Sequence, residues 1–192
     1  QYHFDTFKLN EYLNKVCIRR GIEVVIDTIT SVEAVDGIEK LYGEKAIYES
    51  DFYIDATGFS KFLHKHVGSD WKDCTEYLPM NSAITFPTKL DDRFPAYTAA
   101  TALSSGWVWQ IPTQERYGNG YVYCDDFITE DQAIEEVTKY YGHDLDIRKK
   151  FKFGAGYLRN VWSKNCLAIG LSASFIEPLE ATNIGTAIQQ AL

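Results

Sequence analysis

Phe7, Leu9, Tyr12, Leu13, Val16 and Cys17 fall mostly three and four residues apart, and this spacing predicts an amphipathic helix closed by Gly21. The next stretch, IEVVIDTITSVEAV, is β-rich with a continuous apolar centre and predicts a buried strand. IEKLYG and KAIYES read as two arms of a hairpin around Gly43, and DFYIDATGF as a short apolar strand ending at Thr57-Gly58. A helix is predicted from Lys61 to Trp71. From Tyr77 to Asp126 the pattern alternates and turns as an antiparallel sheet does, with NSAITFPTK, YTAATAL, GWVWQIPT and GNGYVYCDD as candidate strands. Within it, Asn119-Gly120 carries the dipeptide signature of a tight turn. TEDQAIEEVTKYYG predicts a helix, with Thr129 as N-cap, Gln132 three residues on and Gly142 past its end. FKFGAGYLRNVW is strand-like, NCLAIG is a short strand, and the chain finishes in a further helix after Pro178. No repeat or low-complexity linker interrupts this order.

Composition narrows the class. The 192 residues are 45% hydrophobic, 15% aromatic and 24% charged, which suits a folded core. A net charge of −8 without a basic run argues against nucleic-acid or anionic-membrane partners. No apolar run is long enough to predict a membrane helix, and no signal peptide is visible. Cys17, Cys74, Cys124 and Cys166 are far apart, so they read as free thiols of a cytoplasmic protein, not as a zinc site. His64 and His66 have no third ligand nearby in sequence and read as exposed polar side chains, so no metal site is expected.

Four segments could carry chemistry. Asp55-Ala56-Thr57-Gly58 ends a strand in small residues that let a ligand approach the backbone, or it is simply a turn. Cys166 to Ser174 repeats the pattern around Gly170-Leu171, and two such strand ends could face one cofactor at a sheet edge. Trp107 and Trp109 share a strand face and form either an apolar wall or part of an aromatic core. The N–H groups that open the last helix, near Thr182, Asn183, Ile184 and Gly185, suit an anion, or Thr182 or Asn183 merely caps them.

Together these segments resemble the flavin-dependent tryptophan halogenases. GWVWQIP matches the WxWxIP motif of that family through Trp107, Trp109, Ile111 and Pro112. YHFD at the start, RYGNGYVY from Arg116, and NCLAIGLSASFIEPLEAT from Asn165 follow as flanking blocks in the right order. The resemblance covers almost the whole chain. It implies a mixed α/β fold: a Rossmann-type flavin domain like that of the FAD-dependent monooxygenases, with an attached antiparallel sheet. Residues 1–60 and 161–192 would then belong to the flavin-binding domain, and 61–160 to the sheet and its helix.

The resemblance also implies an activity. Reduced FAD, supplied by a separate flavin reductase, uses O2 and halide (chloride, bromide or iodide) to make hypohalous acid. That species halogenates tryptophan or another electron-rich small aromatic. By position, Glu180 is similar to the catalytic glutamate, Thr182 and Asn183 to the halide site, and the paired tryptophans to those that suppress direct oxygenation of substrate. Asp55, Ala56, Thr57, Gly58, Gly170, Leu171 and Ile184 look like flavin contacts. The resemblance leaves room for a homodimer. After the glutamate the family usually has serine, then threonine-glycine; here Ala181-Thr182-Asn183 stands instead, which puts a Cβ where glycine would give halide close access. Neither a GxGxxG turn nor the lysine motif of the family is present, so the chain is expected to be an internal segment of a longer protein, inactive alone. A flavin monooxygenase of the same fold and a non-catalytic module are the alternatives.

Overall fold

The structure, a computed structural model, describes residues 3–176, 179 and 183–191. In chain order the elements are α1 (Thr6–Arg19), β1 (Ile29–Ala34), β2 (Ile38–Gly43), β3 (Ile47–Tyr48), β4 (Tyr53–Asp55), β5 (Trp71–Asp73), β6 (Ser82–Thr88) and β7 (Ala99–Ala102). Then follow β8 (Gly106–Pro112), β9 (Tyr117–Tyr123), α2 (Glu130–Tyr141), β10 (Lys149–Lys152), β11 (Gly156–Leu158), β12 (Trp162–Ser163), β13 (Cys166–Ala168), β14 (Ser174–Phe175) and α3 (Asn183–Ala191). Single 3₁₀ turns occupy Gly58–Ser60, His64–His66 and Gly170–Ser172. The mixed α/β class with an antiparallel sheet is as the sequence implied.

The chain divides into two compact units, 1–25 with 80–153, and 26–79 with 154–192. The first is built on a five-stranded antiparallel sheet in the order β10-β6-β9-β8-β7. Alternate side chains on one face, Ile84, Phe86, Val108, Tyr121 and Tyr123, pack with Ala133 and Val137 of α2 into a dry cluster. The α2 helix begins as its sequence dictates. The Thr129 hydroxyl accepts the Gln132 N–H, the Gln132 side chain accepts the Thr129 N–H, and Gly142 closes the helix in the left-handed region. Asp5 caps α1 through the N–H groups of Phe7 and Lys8.

The second unit contains three small sheets, β1-β2-β3, β14-β11-β5 and β12-β13-β4. The first two are antiparallel throughout, and the hairpin around Gly43 stands as expected. In the third, β13 runs parallel to β4, with Cys166, Leu167 and Ala168 opposite Tyr53, Ile54 and Asp55.

Three sequence expectations are corrected. Residues 22–28 do not form a buried strand: Ile22, Val24, Val25 and Ile26 are exposed, Ile26 by 81%. A strand needs a partner, and β1 finds one in β2 only from Ile29 onward. The Lys61–Trp71 helix is replaced by one 3₁₀ turn and the start of β5. There the N–H of Phe62 goes to Thr57 Oγ1 (2.8 Å) and those of Leu63 and His64 go to Asp55 Oδ2 (2.9 and 2.8 Å), which draws the chain off a helical path. Asn119-Gly120 is not a turn. Both lie inside β9, and the β8–β9 reversal is made by Thr113 to Arg116. Gly120 is required there because a Cβ would stand 2.1 Å from the Trp109 ring.

Candidate functional site

Two groups of the sequence-predicted residues are brought together, one in each unit. In the second unit the strand ends at Asp55 and Ala168, over a hundred residues apart in sequence, lie side by side through the parallel β4–β13 pairing. Both strands run on into a glycine in the left-handed region, Gly58 at φ +72° and Gly170 at φ +57°, and both glycines open a 3₁₀ turn. Ala56 and Thr57 are exposed, while Gly58 and Leu171 are half-buried. Nothing lies within 4 Å of the position a Gly58 Cβ would take. The Gly170 N–H donates to Gln190 Oε1 of α3 (2.8 Å), and Ala187 of the same helix lies 3.6 Å from the place of a Gly170 Cβ. Helix α3 thus docks on the second turn and leaves Ile184 exposed. Asn183 is its first residue. Glu180 and Thr182 lie outside the described residues.

Asp55 occupies a position that sequence alone did not disclose. It is fully buried, and its carboxylate accepts the Thr57 N–H (2.9 Å) and Thr57 hydroxyl (2.6 Å) at Oδ1, and the N–H groups of Leu63 and His64 at Oδ2. The Ser172 hydroxyl lies 3.1 Å from both Oδ1 and the Gly58 carbonyl oxygen. Burial alone would push this carboxyl up, but the hydrogen bonds from Thr57, His64 and Ser172 outweigh it and hold Asp55 below the usual carboxylate range. Asp55 therefore ties β4, the 57–64 segment and the Gly170 turn into one piece. Ser172 and His64 were missed in the sequence. The Asp-x-Thr spacing of an Asx-type turn was the one available signal. His64, expected to be exposed, is fully buried. Burial lowers its pKa below the ordinary histidine value, partly opposed by the Asp55 charge and the Val161 carbonyl.

In the first unit Trp107 and Trp109 do share a face of β8, opposite the one that packs on α2 through Val108. Their ring centroids are 6.0 Å apart at 56°, and both are half-buried. Trp109 lies across Gly120, its partner in register. Ile111 is half-buried and Pro112 buried. The carbonyl of Pro112 can only accept, so His3 donates to it from Nδ1 (3.0 Å) and takes the Thr98 hydroxyl at Nε2 (3.2 Å). The YHFD and WxWxIP segments thereby meet. A cleft of about 310 Å³ opens beside them between the start of α1 and the Thr113–Arg116 reversal, lined among others by Phe4, Leu9 and Tyr12. Its charges answer one another: Lys8 pairs with Glu115 at 2.6 Å and Arg116 with Asp5 at 3.8 Å.

The comparisons with known proteins bear on both groups. The family described as tryptophan halogenase matches residues 1–192. Tryptophan 6-halogenase SttH of Streptomyces toxytricini is 33% identical over 95% of this chain and 37% of its own length. Tryptophan 7-halogenase RebH of Lentzea aerocolonigenes is 30% identical over 95% of this chain and 36% of its own. Among solved structures, BrvH, a flavin-dependent halogenase from Brevundimonas sp. BAL3, superposes with a TM-score of 0.89 at 30% identity, covering 97% of this chain and 40% of that one. The chain spans little more than a third of the length of the curated relatives it matches. With a match over every residue, the chain belongs to the tryptophan halogenase family.

Proposed function

We propose that the whole protein is a flavin-dependent halogenase of tryptophan or another electron-rich small aromatic, and that this chain supplies part of its flavin-holding and substrate-handling machinery. The observation that carries the reading is the parallel pairing of β4 and β13, which sets two left-handed glycine turns at one sheet edge. In parallel sheets ligands sit beyond the carboxyl ends of the strands. Ala56, Thr57, Gly58, Gly170 and Leu171 would then contact it, and the open backbone at Gly58, where nothing lies within 4 Å of a Cβ position, supports the reading. Asp55 acts from beneath, by shaping the turn. These segments and Ile184 are assigned to the flavin-binding domain, and the strands between Tyr77 and Asp126 to the antiparallel part.

Reduced FAD, delivered by a separate reductase, supplies two electrons: FADH2, O2, halide and a proton give FAD, hypohalous acid and water. The hypohalous acid then replaces a ring hydrogen of the arene, with loss of water. Thr182 and Asn183 hold the halide, near the helix start whose N–H groups favour an anion. Glu180 assists transfer to the ring, and Trp107, Trp109, Ile111 and Pro112 suppress direct oxygenation of the substrate. In the whole protein, Glu180→Gln is expected to lower the halogenation rate at least about a hundredfold, the scale of a positioned acid–base group, with flavin affinity unchanged. Single-turnover assay beside fluorescence titration of FAD measures both. Unchanged turnover would remove Glu180 from the chemistry.

A further inference from the structure

His64 is a buried titratable group for which the flavin reading has no use. Neither of its ring nitrogens makes a hydrogen bond of normal geometry, although the side chain is fully buried. Its backbone N–H, with that of Leu63, is spent on Asp55. The Asp55 carboxylate has about four lone-pair sites, and Thr57, Leu63 and His64 N–H groups with the Thr57 hydroxyl fill them, before the shared Ser172 hydroxyl is counted. No site is left for an imidazole N–H. A neutral imidazole tolerates this place. An imidazolium needs two acceptors, and the packing offers the Val161 carbonyl and the field of an Asp55 carboxylate whose lone pairs are already taken.

The other ionisable groups around it do not help. From β13 comes the thiol of Cys166, pushed up to about 11 by burial and so neutral. From its own segment come the cations Lys61, stacked 3.9 Å from the Trp71 centroid, and Lys65, over Phe62. His66 lies against Phe62. The backbone is tense at the same place: Lys61 sits at φ +46°, where a residue with a Cβ is uncommon.

We propose that His64 makes residues 61–67 a proton-operated latch: neutral, it keeps them folded over Asp55, and protonated, it leaves its site and frees the turns at Gly58 and Gly170. The effect on cofactor binding rests on the flavin reading above; the latch itself does not. The step takes up one proton from solvent and breaks no covalent bond.

The test is hydrogen exchange at the Leu63 and His64 amides between pH 7.5 and 5.0, corrected for intrinsic rates, in the wild type and in His64→Gln. Opening coupled to one proton rises about tenfold per pH unit below the ordinary histidine pKa near 6.5. The wild type is expected to follow that slope at these two amides, while Tyr121 and Val122 in the five-stranded sheet stay protected and His64→Gln stays flat. Equal profiles in the two proteins would overturn the latch. Should the variant not fold, the imidazole ring signals of the wild type decide: an ordinary titration near pH 6.5 with both amides still protected overturns it as well. FAD titration in parallel separates the two ideas. Affinity that weakens with acid in the wild type alone supports both. No FAD binding at any pH, with the amides still opening, contradicts the flavin reading and leaves the latch standing.

Discussion

At the scale of single residues, Gly120 and Asp55 each answer to one contact set. Gly120 lets the Trp109 indole lie on the strand; a methyl group would meet three ring atoms between 2.1 and 2.7 Å away. Gly120→Ala is therefore expected to destabilise the first unit by about 1–3 kcal/mol, the scale of overpacking, and urea unfolding followed by tryptophan fluorescence reads it. A loss below half a kilocalorie would mean that the indole pair re-seats freely. Asp55→Ala strands the buried N–H groups of Leu63 and His64 and removes the acceptor of both Thr57 donors, and should cost about 3 kcal/mol or more, visible as a lower melting temperature. The sign of its pH dependence follows from its direction. The folded carboxyl is held below its unfolded value near 3.9, so its contribution is present in full above that pH and is lost as pH falls through the lower folded value. His64 works the same way higher up. Folding favours its neutral form, so stability is complete above about 6.5 and declines as the medium becomes more acid.

At the scale of elements, α2 shows how far local rules reach. Its cap, its capping box and its closing glycine are all written within the segment Thr129 to Gly142, and all form as written. Thr129→Ala removes the cap and is expected to cost about 1 kcal/mol, measurable as a shift in the denaturation midpoint at constant slope. Four of the five strands of the antiparallel sheet, β6 to β9, were legible, and on β6, β8 and β9 the alternation survives in Ile84, Phe86, Val108, Tyr121 and Tyr123 against α2. Elements whose cause is distant were not legible. The apolar run at 22–28 looks like a strand, but among the described residues the β1–β2 ladder begins only at Ile29. The helix expected after Lys61 fails because a carboxylate on β4 takes its N–H groups. Asn119-Gly120 imitates a turn because the reason for its glycine is an indole on another strand.

At the scale of the whole molecule, the candidate site was half legible. The two glycine-ended strands could be named from sequence, and their adjacency could be supposed, but their parallel register and the carboxylate that joins their turns belong to tertiary structure. Glu180 and Thr182 enter by resemblance alone. The chain belongs to the family, and the proposal above sets the flavin at the two glycine turns of the second unit. The most direct test is mass spectrometry of the product that the whole protein makes from tryptophan and a panel of indoles with FAD, a flavin reductase, NADH and air. Chloride and bromide are supplied in turn. A product that gains the isotope pattern of whichever halide is present, and that is absent without halide, is the predicted result. A hydroxylated arene formed equally with and without halide would contradict the account.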